Sequence, residues 1–273
     1  MSIELSRKYL EACLENKEDQ IRNLLNEQSC EKHFDLGYDH IGQDEIYLST
    51  DVFLEYVEWI DIQFLNQYES KTIDNAYSYA LLELKTSGKF KEEDSLFHSL
   101  GCQLYKWSHD RKLISLKFFG DIPWNQKTED KIKMSEIKHN TDTNVDLNGK
   151  ELFLSMVNKQ VDGEFRNLLS TNASISILLH QKEALHNVKP VDFKKRYQEL
   201  NILNKNLSIK TSFTSGNTSI IESQITGTEE SSLPFDVREC FISEWANNKM
   251  IKCRLYSVRV PCVEDVMERI NKI

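Results

Sequence analysis

Two carboxylates and a lysine in the middle of the chain have the residue types of a metal-dependent hydrolase. Asp121 closes a predicted strand, and Glu136 and Lys138 follow 15 and 17 residues later. In such a site two carboxylates hold a Mg²⁺ ion, and a lysine assists the water that attacks a phosphodiester bond. The three residues predict, as one alternative, a hydrolase that uses Asp121, Glu136 and Lys138 as its catalytic residues.

This order of residues resembles the arrangement in PD-(D/E)xK nucleases, and the resemblance implies a metal-dependent phosphodiesterase. Two features of the sequence weaken this resemblance and make the hydrolase an alternative rather than the favoured function. A Glu-x-Lys triplet also occurs at Glu69 and at Glu83. The residues before Glu136 are Lys-Met-Ser at 133–135, which do not form the apolar strand that should carry the pair.

Cysteine and histidine side chains suggest a different catalytic chemistry, attack by a thiol nucleophile. A thiol enzyme needs a histidine and an orienting residue close to its cysteine in space. The conceivable pairs are Cys102 with His98 or His109, and Cys240 with His180 or His186. Because a buried cysteine usually acts as a small hydrophobic residue, the thiol enzyme stays an alternative.

Two short segments contain side chains that bind metal ions in other proteins. Asn144, Asp146, Asn148 and Gly149 resemble the first half of an EF-hand calcium loop, but position 12 would be Ser155 rather than glutamate. Cys30, His33, Asp39 and His40 are ligand types for zinc, without a matching Cys-x-x-Cys pair elsewhere. An Asn-Gly turn explains the first segment more simply. We predict no metal ion and no cofactor.

The most distinctive feature of the sequence is an acidic segment rich in aromatic residues. The formal net charge is −9, and residues 33–70 contain nine acidic residues and no Lys or Arg, so the rest of the chain is balanced. Charge of one sign speeds association with an oppositely charged partner, and buried aromatic rings supply affinity. We therefore expect a surface that binds a basic protein; the alternative is that the same rings belong to the core. Its expected residues are Asp44, Glu45, Asp51, Glu55, Tyr56, Glu58, Trp59 and Asp61.

Basic residues are concentrated in two runs of the C-terminal half, within 182–210 and 249–259. A nucleic-acid surface would need such runs, but the acidic balance of the whole chain opposes it. Pairing with the acidic segment accounts for them equally well. We do not expect a nucleic-acid partner.

The composition is that of a folded protein with a sizeable core. The 273 residues are 40% hydrophobic and 28% charged. No apolar run approaches the roughly 20 residues that span a bilayer, and the N-terminus lacks the apolar core of a signal peptide. We expect a cytoplasmic protein with six reduced thiols and no membrane association. Export by a specialised secretion system is the alternative, and the oligomeric state is not indicated.

The predicted secondary structure that must position these residues changes along the chain from mostly helices to mostly strands. Helical spacing of apolar residues predicts helices before residue 110, at 4–28, from Thr50 onward, at 74–85 and at 92–107. Alternating patterns predict strands at 113–119, 175–179 and 250–260, and a hairpin of 207–213 with 219–225. Further helices are predicted at 192–203 and 263–273.

The sequence therefore predicts an α+β protein, with a mostly helical N-terminal half followed by a small, mostly antiparallel sheet with helices. The predicted regions are a helical region at 1–120, a polar linker or surface loop at 121–149, and an α+β region at 150–273. The favoured function is an intracellular macromolecule-binding protein, most concretely an inhibitor or immunity-type protein that captures a basic partner. A hydrolase and a secreted effector enzyme are the alternatives.

Overall fold

Strands form most of the regular structure in the part of the chain that can be described. The computed structural model describes residues 1–34, 37–70, 76–92, 95–133, 145–157, 167–182, 184–193, 202–230 and 232–262. These residues divide into two compact units. The first unit comprises Met1–Phe34 and Tyr38–Lys133, and the second contains the described residues from Val145 onward.

The first unit is a six-stranded sheet with helices. Its N-terminal elements are α1 (Ser2–Leu14), α2 (Glu18–Leu24), β1 (Cys30–His33), β2 (Tyr38–Ile41) and α3 (Gly42–Tyr56). They are followed by β3 (Val57–Glu69), β4 (Tyr77–Phe90), β5 (Leu96–Ser108), β6 (Leu113–Pro123) and α4 (Gln126–Ile132). The strand order is β2-β1-β6-β5-β4-β3, in which β1 is parallel to β6 and the other neighbours are antiparallel.

Specific contacts fix α1 against this sheet. The indole nitrogen of the buried Trp107 donates a hydrogen bond of 2.9 Å to the hydroxyl of Ser6. The ring of Tyr9 packs edge-on against Trp107, with 6.5 Å between the ring centroids. Glu69 accepts hydrogen bonds from Ser2 at the start of the helix, where a negative charge is stabilised by the helix dipole. The face of α1 that carries Tyr9 is therefore held over the sheet.

The second unit has the same kind of architecture. Its elements are α5 (Val145–Val157), β7 (Leu169–Leu179), β8 (Leu185–His186), β9 (Ile202–Ser215), β10 (Thr218–Glu229), β11 (Pro234–Ala246) and β12 (Lys249–Arg259). The strand order is β8-β7-β12-β11-β10-β9, with β7 parallel to β12. Phe153 of α5 packs against Phe241 of β11, with ring centroids 5.4 Å apart, in a buried apolar core.

The two sheets agree in detail as well as in strand order. In the first, the register of β5 on β6 shifts between Lys106 and Trp107. In the second, the register of β11 on β12 shifts between Glu244 and Trp245. Each irregularity thus precedes a fully buried tryptophan near the end of the same strand. This common point aligns the two units residue by residue.

The alignment also places identical buried pairs in the two sheets. Glu83 of β4 lies opposite Cys102 of β5, and Glu222 of β10 lies opposite Cys240 of β11. All four residues are buried. The described chain is therefore a tandem repeat of one architecture, which the sequence analysis did not find.

The predicted fold class was wrong for the N-terminal half. The predicted helices at 74–85 and 92–107 fall in the region of β4 and β5, and two six-stranded sheets dominate the described chain. β4 contains the run Ala80–Leu84, which is apolar except for Glu83 and is buried on both faces. A strand of that kind has no alternation of apolar and polar residues, so its pattern matches a buried helix equally well.

The helix predicted from Thr50 onward, which rested on helical spacing of Phe53, Tyr56, Val57, Ile60 and Phe64, was wrong beyond Tyr56. α3 ends at Tyr56, and β3 begins at Val57. Ile60, Ile62 and Phe64 alternate with outward-facing polar residues, which is the period of a strand. Val57, Ile60 and Phe64 lie in β3 and satisfied helical spacing by coincidence.

Several strand predictions from residue 113 onward were confirmed. The predicted strands at 113–119, 175–179 and 250–260 correspond to β6, β7 and β12, and the predicted hairpin is β9 with β10. The predicted helix at 263–273 and most of the one at 192–203 lie outside the described residues. The division at 120 and 149 stays a prediction. No helix in the described ranges is long and apolar enough to cross a membrane.

Candidate ligand-binding site

The first unit contains a cavity of about 270 Å³ between its sheet and the helices α1 and α3. Apolar side chains form most of its wall, including Leu10 and Leu14 of α1 and Leu116 and Phe118 of β6. Phe53 of α3 also lines it and is 44% exposed, so the cavity reaches solvent beside this ring. Such a space can exclude water from a small ligand.

A cluster of polar side chains lies at one part of this wall. Alternation along β1 places Glu31 and His33 on the same face of the sheet, towards α1. The hydroxyl of Tyr9 donates a short hydrogen bond to one carboxylate oxygen of Glu31. The other oxygen lies 3.8 Å from Nε2 of His33. The His33 ring stacks on Phe118, with 4.4 Å between the ring centroids.

Burial controls the protonation of the groups around Glu31. Desolvation, reinforced by Glu31, raises the pKa of Tyr9 well above its usual value, so the phenol stays protonated. The same two causes raise the pKa of Cys13 to about 12, which keeps it a thiol rather than a nucleophilic thiolate at neutral pH. Burial, then the neighbouring His33, lowers the pKa of His40 and favours its neutral imidazole.

The charge of the cavity restricts what can enter it. Among the described residues that line it, Glu31 is the only carboxylate, and none is Lys or Arg. An anionic ligand would place a second negative charge near Glu31 without a compensating cation, which is unfavourable in an apolar site. The cavity therefore suits a neutral ligand better than an acid.

The arrangement provides a proton acceptor beside an apolar surface. Glu31 accepts from Tyr9 and lies next to His33, so a hydroxyl or N–H group of a ligand can donate to this pair. A carboxylate and an imidazole at this position can also take up a proton from a bound molecule.

Some residues of this cluster lie in a segment for which the sequence suggested a different chemistry. Glu31 and His33 lie in the segment considered for zinc, yet no cluster of three or more metal-ligand side chains exists among the described residues. Tyr9 and Gln103, which also line the cavity, were not singled out. The available signal was the Glu-x-His alternation on a short strand, which places both side chains on one face.

The acidic aromatic surface, defined by the eight residues from Asp44 to Asp61 given above, lies on α3 and the start of β3. Tyr56 is 52% exposed and Trp59 is 42% exposed, so neither ring belongs to the core. Leu48 and Val52 are exposed on the same helix. These side chains form an apolar strip among carboxylates.

Some of these carboxylates already have partners within the unit. Asp44 pairs with Arg22, and Asp51 accepts from Asn16 at 2.8 Å. Glu58 lies 2.8 Å from Nζ of Lys89. Internal contacts therefore offset part of the negative field that the sequence predicted.

Glu45 also has an internal contact, since it accepts a hydrogen bond of 2.8 Å from the backbone N–H of Ile41. Glu55 and Asp61 are exposed. These two carboxylates add negative charge to the acidic aromatic surface.

Only one of the three residues of the alternative hydrolase site lies in the described part of the chain. Asp121 is exposed on β6, and Glu136 and Lys138 lie outside the described residues, so the hydrolase stays a prediction. Cys102 is buried in β5, four residues along the same strand from His98, which corresponds to roughly 13 Å. This distance is too long for a thiol–imidazole pair.

The calcium loop is contradicted where it can be described. Asn148 and Gly149 belong to the helix α5 rather than to a loop, and Asn144 lies outside the described residues. A Cβ atom on Gly149 would lie 2.2 Å from the hydroxyl of Ser219. Close approach of the helix to the sheet therefore explains this glycine.

The second unit has apolar residues where the first has its polar cluster. Glu31 and His33 pair with Leu116 and Phe118 of β6. The equivalent pairs in the second unit are Ile175 with Cys253 and Ile177 with Leu255. Ile175 and Ile177 are buried in the apolar core, so the carboxylate–imidazole pair belongs to the first unit.

Comparison with known proteins does not place the chain in a family. No family model matches the sequence, and no curated protein shows significant similarity to it. The solved structures that resemble it include an NTF2-like superfamily protein from Salmonella enterica, at 10% identity over 45% of this chain and 89% of that one, with a TM-score of 0.39.

Two further structures show the same level of similarity. An NTF2-like protein of unknown function from Exiguobacterium is 16% identical over 42% of this chain and 95% of its own, with a TM-score of 0.35. A hypothetical protein with a ketosteroid isomerase-like fold from Catenulispora acidiphila, solved with trimethylamine, is 13% identical over 42% and 84%, with a TM-score of 0.37. At these values no activity or ligand is transferred to this chain.

Proposed function

We propose that the first unit binds a small, uncharged and largely apolar organic molecule. The observation that carries this proposal is the cavity, whose apolar wall contains one carboxylate–tyrosine–histidine cluster. The absence of Lys and Arg among its described lining residues argues against an acidic ligand. The Glu31–His33 pair on the cavity wall favours a ligand with an O–H or N–H group.

The size of the cavity indicates the size of the ligand. A dry protein cavity of about 150 Å³ accommodates benzene. By proportion, 270 Å³ accommodates a molecule of roughly eleven heavy atoms, which is a bicyclic compound with a small substituent. A flat ring system of this size can lie against Phe118.

Indole is a suitable probe because it is neutral, bicyclic and has an N–H donor for Glu31. Calorimetric titration should give a Kd on the order of 0.1–1 mM, as expected for a ligand of this size. Indole-5-carboxylate should bind at least tenfold more weakly, because its charge has no cationic partner in the cavity.

Two variants and one control connect the binding to this site. Leu14→Trp fills the cavity from α1 and should abolish indole binding, and Glu31→Gln should weaken it several-fold by removing the charged acceptor. Glu11→Gln changes an exposed carboxylate of the same helix and should leave Kd unchanged. No binding to the wild-type protein at about 2 mM indole, roughly twice the weakest expected Kd, would contradict the proposal. Equal affinity for the carboxylate would do the same.

A second candidate function is supported by a separate observation, the exposure of Tyr56 and Trp59 among carboxylates. We propose that the acidic aromatic surface captures a basic protein partner, as an inhibitor or immunity-type protein would. The apolar rings would supply affinity, and Glu55 and Asp61 would steer the encounter. Exposed apolar strips rimmed by charge are typical of protein interaction sites.

Affinity capture from the native source tests this second candidate. The wild-type chain should retain a basic protein that is lost with Glu55→Lys/Asp61→Lys and with Tyr56→Ser/Trp59→Ser. Glu11→Lys reverses an exposed charge on α1 and serves as the control. Capture that is unchanged in both double variants would contradict this candidate.

A further inference from the structure

We infer that Gln103 recognises a hydrogen-bond acceptor on the ligand, two strands away from Glu31. This inference rests on the ligand-binding function proposed for the first unit, and it specifies the class of ligand. The ligand is a neutral bicyclic molecule with a donor group at one end and an ether or carbonyl oxygen at the other.

Gln103 lies on the same face of the sheet as His33. In the pairing of the strands, Gln103 of β5 is opposite Phe118 of β6, and Phe118 is opposite His33 of β1. Strands lie about 4.8 Å apart, so the backbones of Gln103 and His33 are separated by roughly 10 Å, with the Phe118 ring between them. All three side chains line the cavity. A ligand over Phe118 therefore meets polar groups at both of its ends.

The buried Tyr105 determines which atoms Gln103 presents. Its hydroxyl donates a hydrogen bond of 2.5 Å to the amide oxygen of Gln103. Within the described residues this is the only side-chain hydrogen bond of Gln103, and its amide nitrogen donates to none of them. With the oxygen engaged, the amide presents N–H donors to the cavity. A ligand acceptor satisfies these donors, and Tyr105 acts as the positioning residue.

The second unit shows that the sheet does not require this pair. The alignment of the two sheets places Phe241 and Ser243 of β11 at the positions of Gln103 and Tyr105 of β5. Phe241 is fully buried in an apolar core, and Ser243 accepts from the neighbouring Trp245 instead. The same architecture forms with an apolar residue at the position of Gln103. The fold therefore does not require an amide at position 103, and the amide of Gln103 occurs in the unit that has the cavity.

Two indoles of equal size separate recognition of an acceptor from simple occupancy. The 5-methoxy and 5-ethyl derivatives differ by an oxygen in place of a methylene group, and both keep the N–H donor for Glu31. Calorimetric titration of the wild-type protein should show roughly five- to tenfold tighter binding of 5-methoxyindole, which corresponds to the net contribution of one hydrogen bond. Gln63→Leu, which changes an exposed glutamine of β3, should keep this preference.

Substitutions at the pair should remove the preference without removing binding. Gln103→Leu should bind both indole derivatives with the same Kd. If the leucine variant does not fold, Gln103→Glu takes its place, because it keeps the shape of the side chain and removes the amide donor. Tyr105→Phe should reduce the preference at least twofold and leave the Kd of unsubstituted indole unchanged, which a purely structural role of the hydroxyl does not predict.

The outcomes distinguish this inference from the proposal beneath it. Equal affinity of the wild-type protein for the two derivatives overturns the assignment of Gln103 and leaves ligand binding intact. A preference that persists in Gln103→Leu or Gln103→Glu also overturns it. If neither derivative nor indole binds, the proposed function fails, and the inference fails with it.

Discussion

Glu129 of α4 provides a sharp test of how the first unit is stabilised. Its carboxylate is 2.9 Å from Nζ of Lys133, accepts from the indole of Trp124 at 2.7 Å, and lies 3.3 Å from Nζ of Lys85. Glu129 itself is 5% exposed. The hydrogen bonds from Lys133 and then Trp124 lower the pKa of Glu129 from 4.5 to about 2. We predict that Glu129→Gln destabilises the first unit in a pH-dependent manner.

The lowered pKa of Glu129 gives the magnitude and the sign of the expected change in the free energy of unfolding. A fall from 4.5 to about 2 corresponds to about 3 kcal/mol in favour of the folded state when the carboxylate is charged. Because Lys133 is 49% exposed and its charge is screened, we expect about 2 to 3 kcal/mol at pH 7. A lowered pKa stabilises the folded state above the unfolded pKa, and this contribution is lost as the pH falls from 4.5 towards 2. At pH 3 the difference between variant and wild type should be about 1 kcal/mol.

Urea unfolding followed by tryptophan fluorescence measures this difference, since Trp59, Trp107 and Trp124 all lie in the first unit. The control is Asp130→Asn, which removes an exposed carboxylate from the same helix and should change the free energy of unfolding by less than about 0.5 kcal/mol. A loss in Glu129→Gln that is equal at pH 7 and pH 3, or no loss at pH 7, would refute the electrostatic explanation.

Three further predictions concern single contacts. Cys13, whose pKa is about 12, should resist iodoacetamide in the native protein at pH 7.5 and react after unfolding, as peptide mass spectrometry would show. Gly149→Ala should destabilise the protein by about 1–3 kcal/mol in thermal unfolding, against the usual helix preference for alanine, because the new Cβ meets Ser219. Asn125→Ala removes the side chain that accepts from the backbone of Thr128 at 2.9 Å, and should lower the free energy of unfolding in urea by about 1 kcal/mol.

A physical reason explains why a strand such as β4 was predicted as a helix. In β4, Leu81, Leu82 and Glu83 are fully buried although their side chains point to opposite faces. The buried Glu83 accepts from Asn66 and Tyr68, so a charged residue in the run did not mark an exposed face. By contrast, the hairpin of β9 and β10 surrounds a Gly216 turn and was predictable from local alternation. The marked turn and the alternation therefore made this hairpin predictable, whereas residues 80–84 of β4 have no alternation of apolar and polar residues.

The cavity could not be predicted because its polar residues are distant in sequence. Tyr9, Glu31 and Gln103 come from one helix and two strands, and only the strand order β1-β6-β5 brings them to one wall. No local spacing indicates that β1 inserts next to β6. The repeat had a sequence signal that the cavity lacked. Trp107 and Trp245 occupy equivalent positions near the ends of alternating strands in the two units.

α3 takes part in both candidate functions, through different faces. Thr50 and Phe53 point to the cavity, whereas Leu48, Val52 and Tyr56 are exposed on the helix surface. Side chains three and four positions apart share a face of a helix, so substitutions at Val52 and Tyr56 change the outer surface and leave the cavity wall in place. Loss of partner capture with unchanged indole affinity in such variants would separate the two functions. Phe53 contacts both environments, so its substitution alone should affect both measurements.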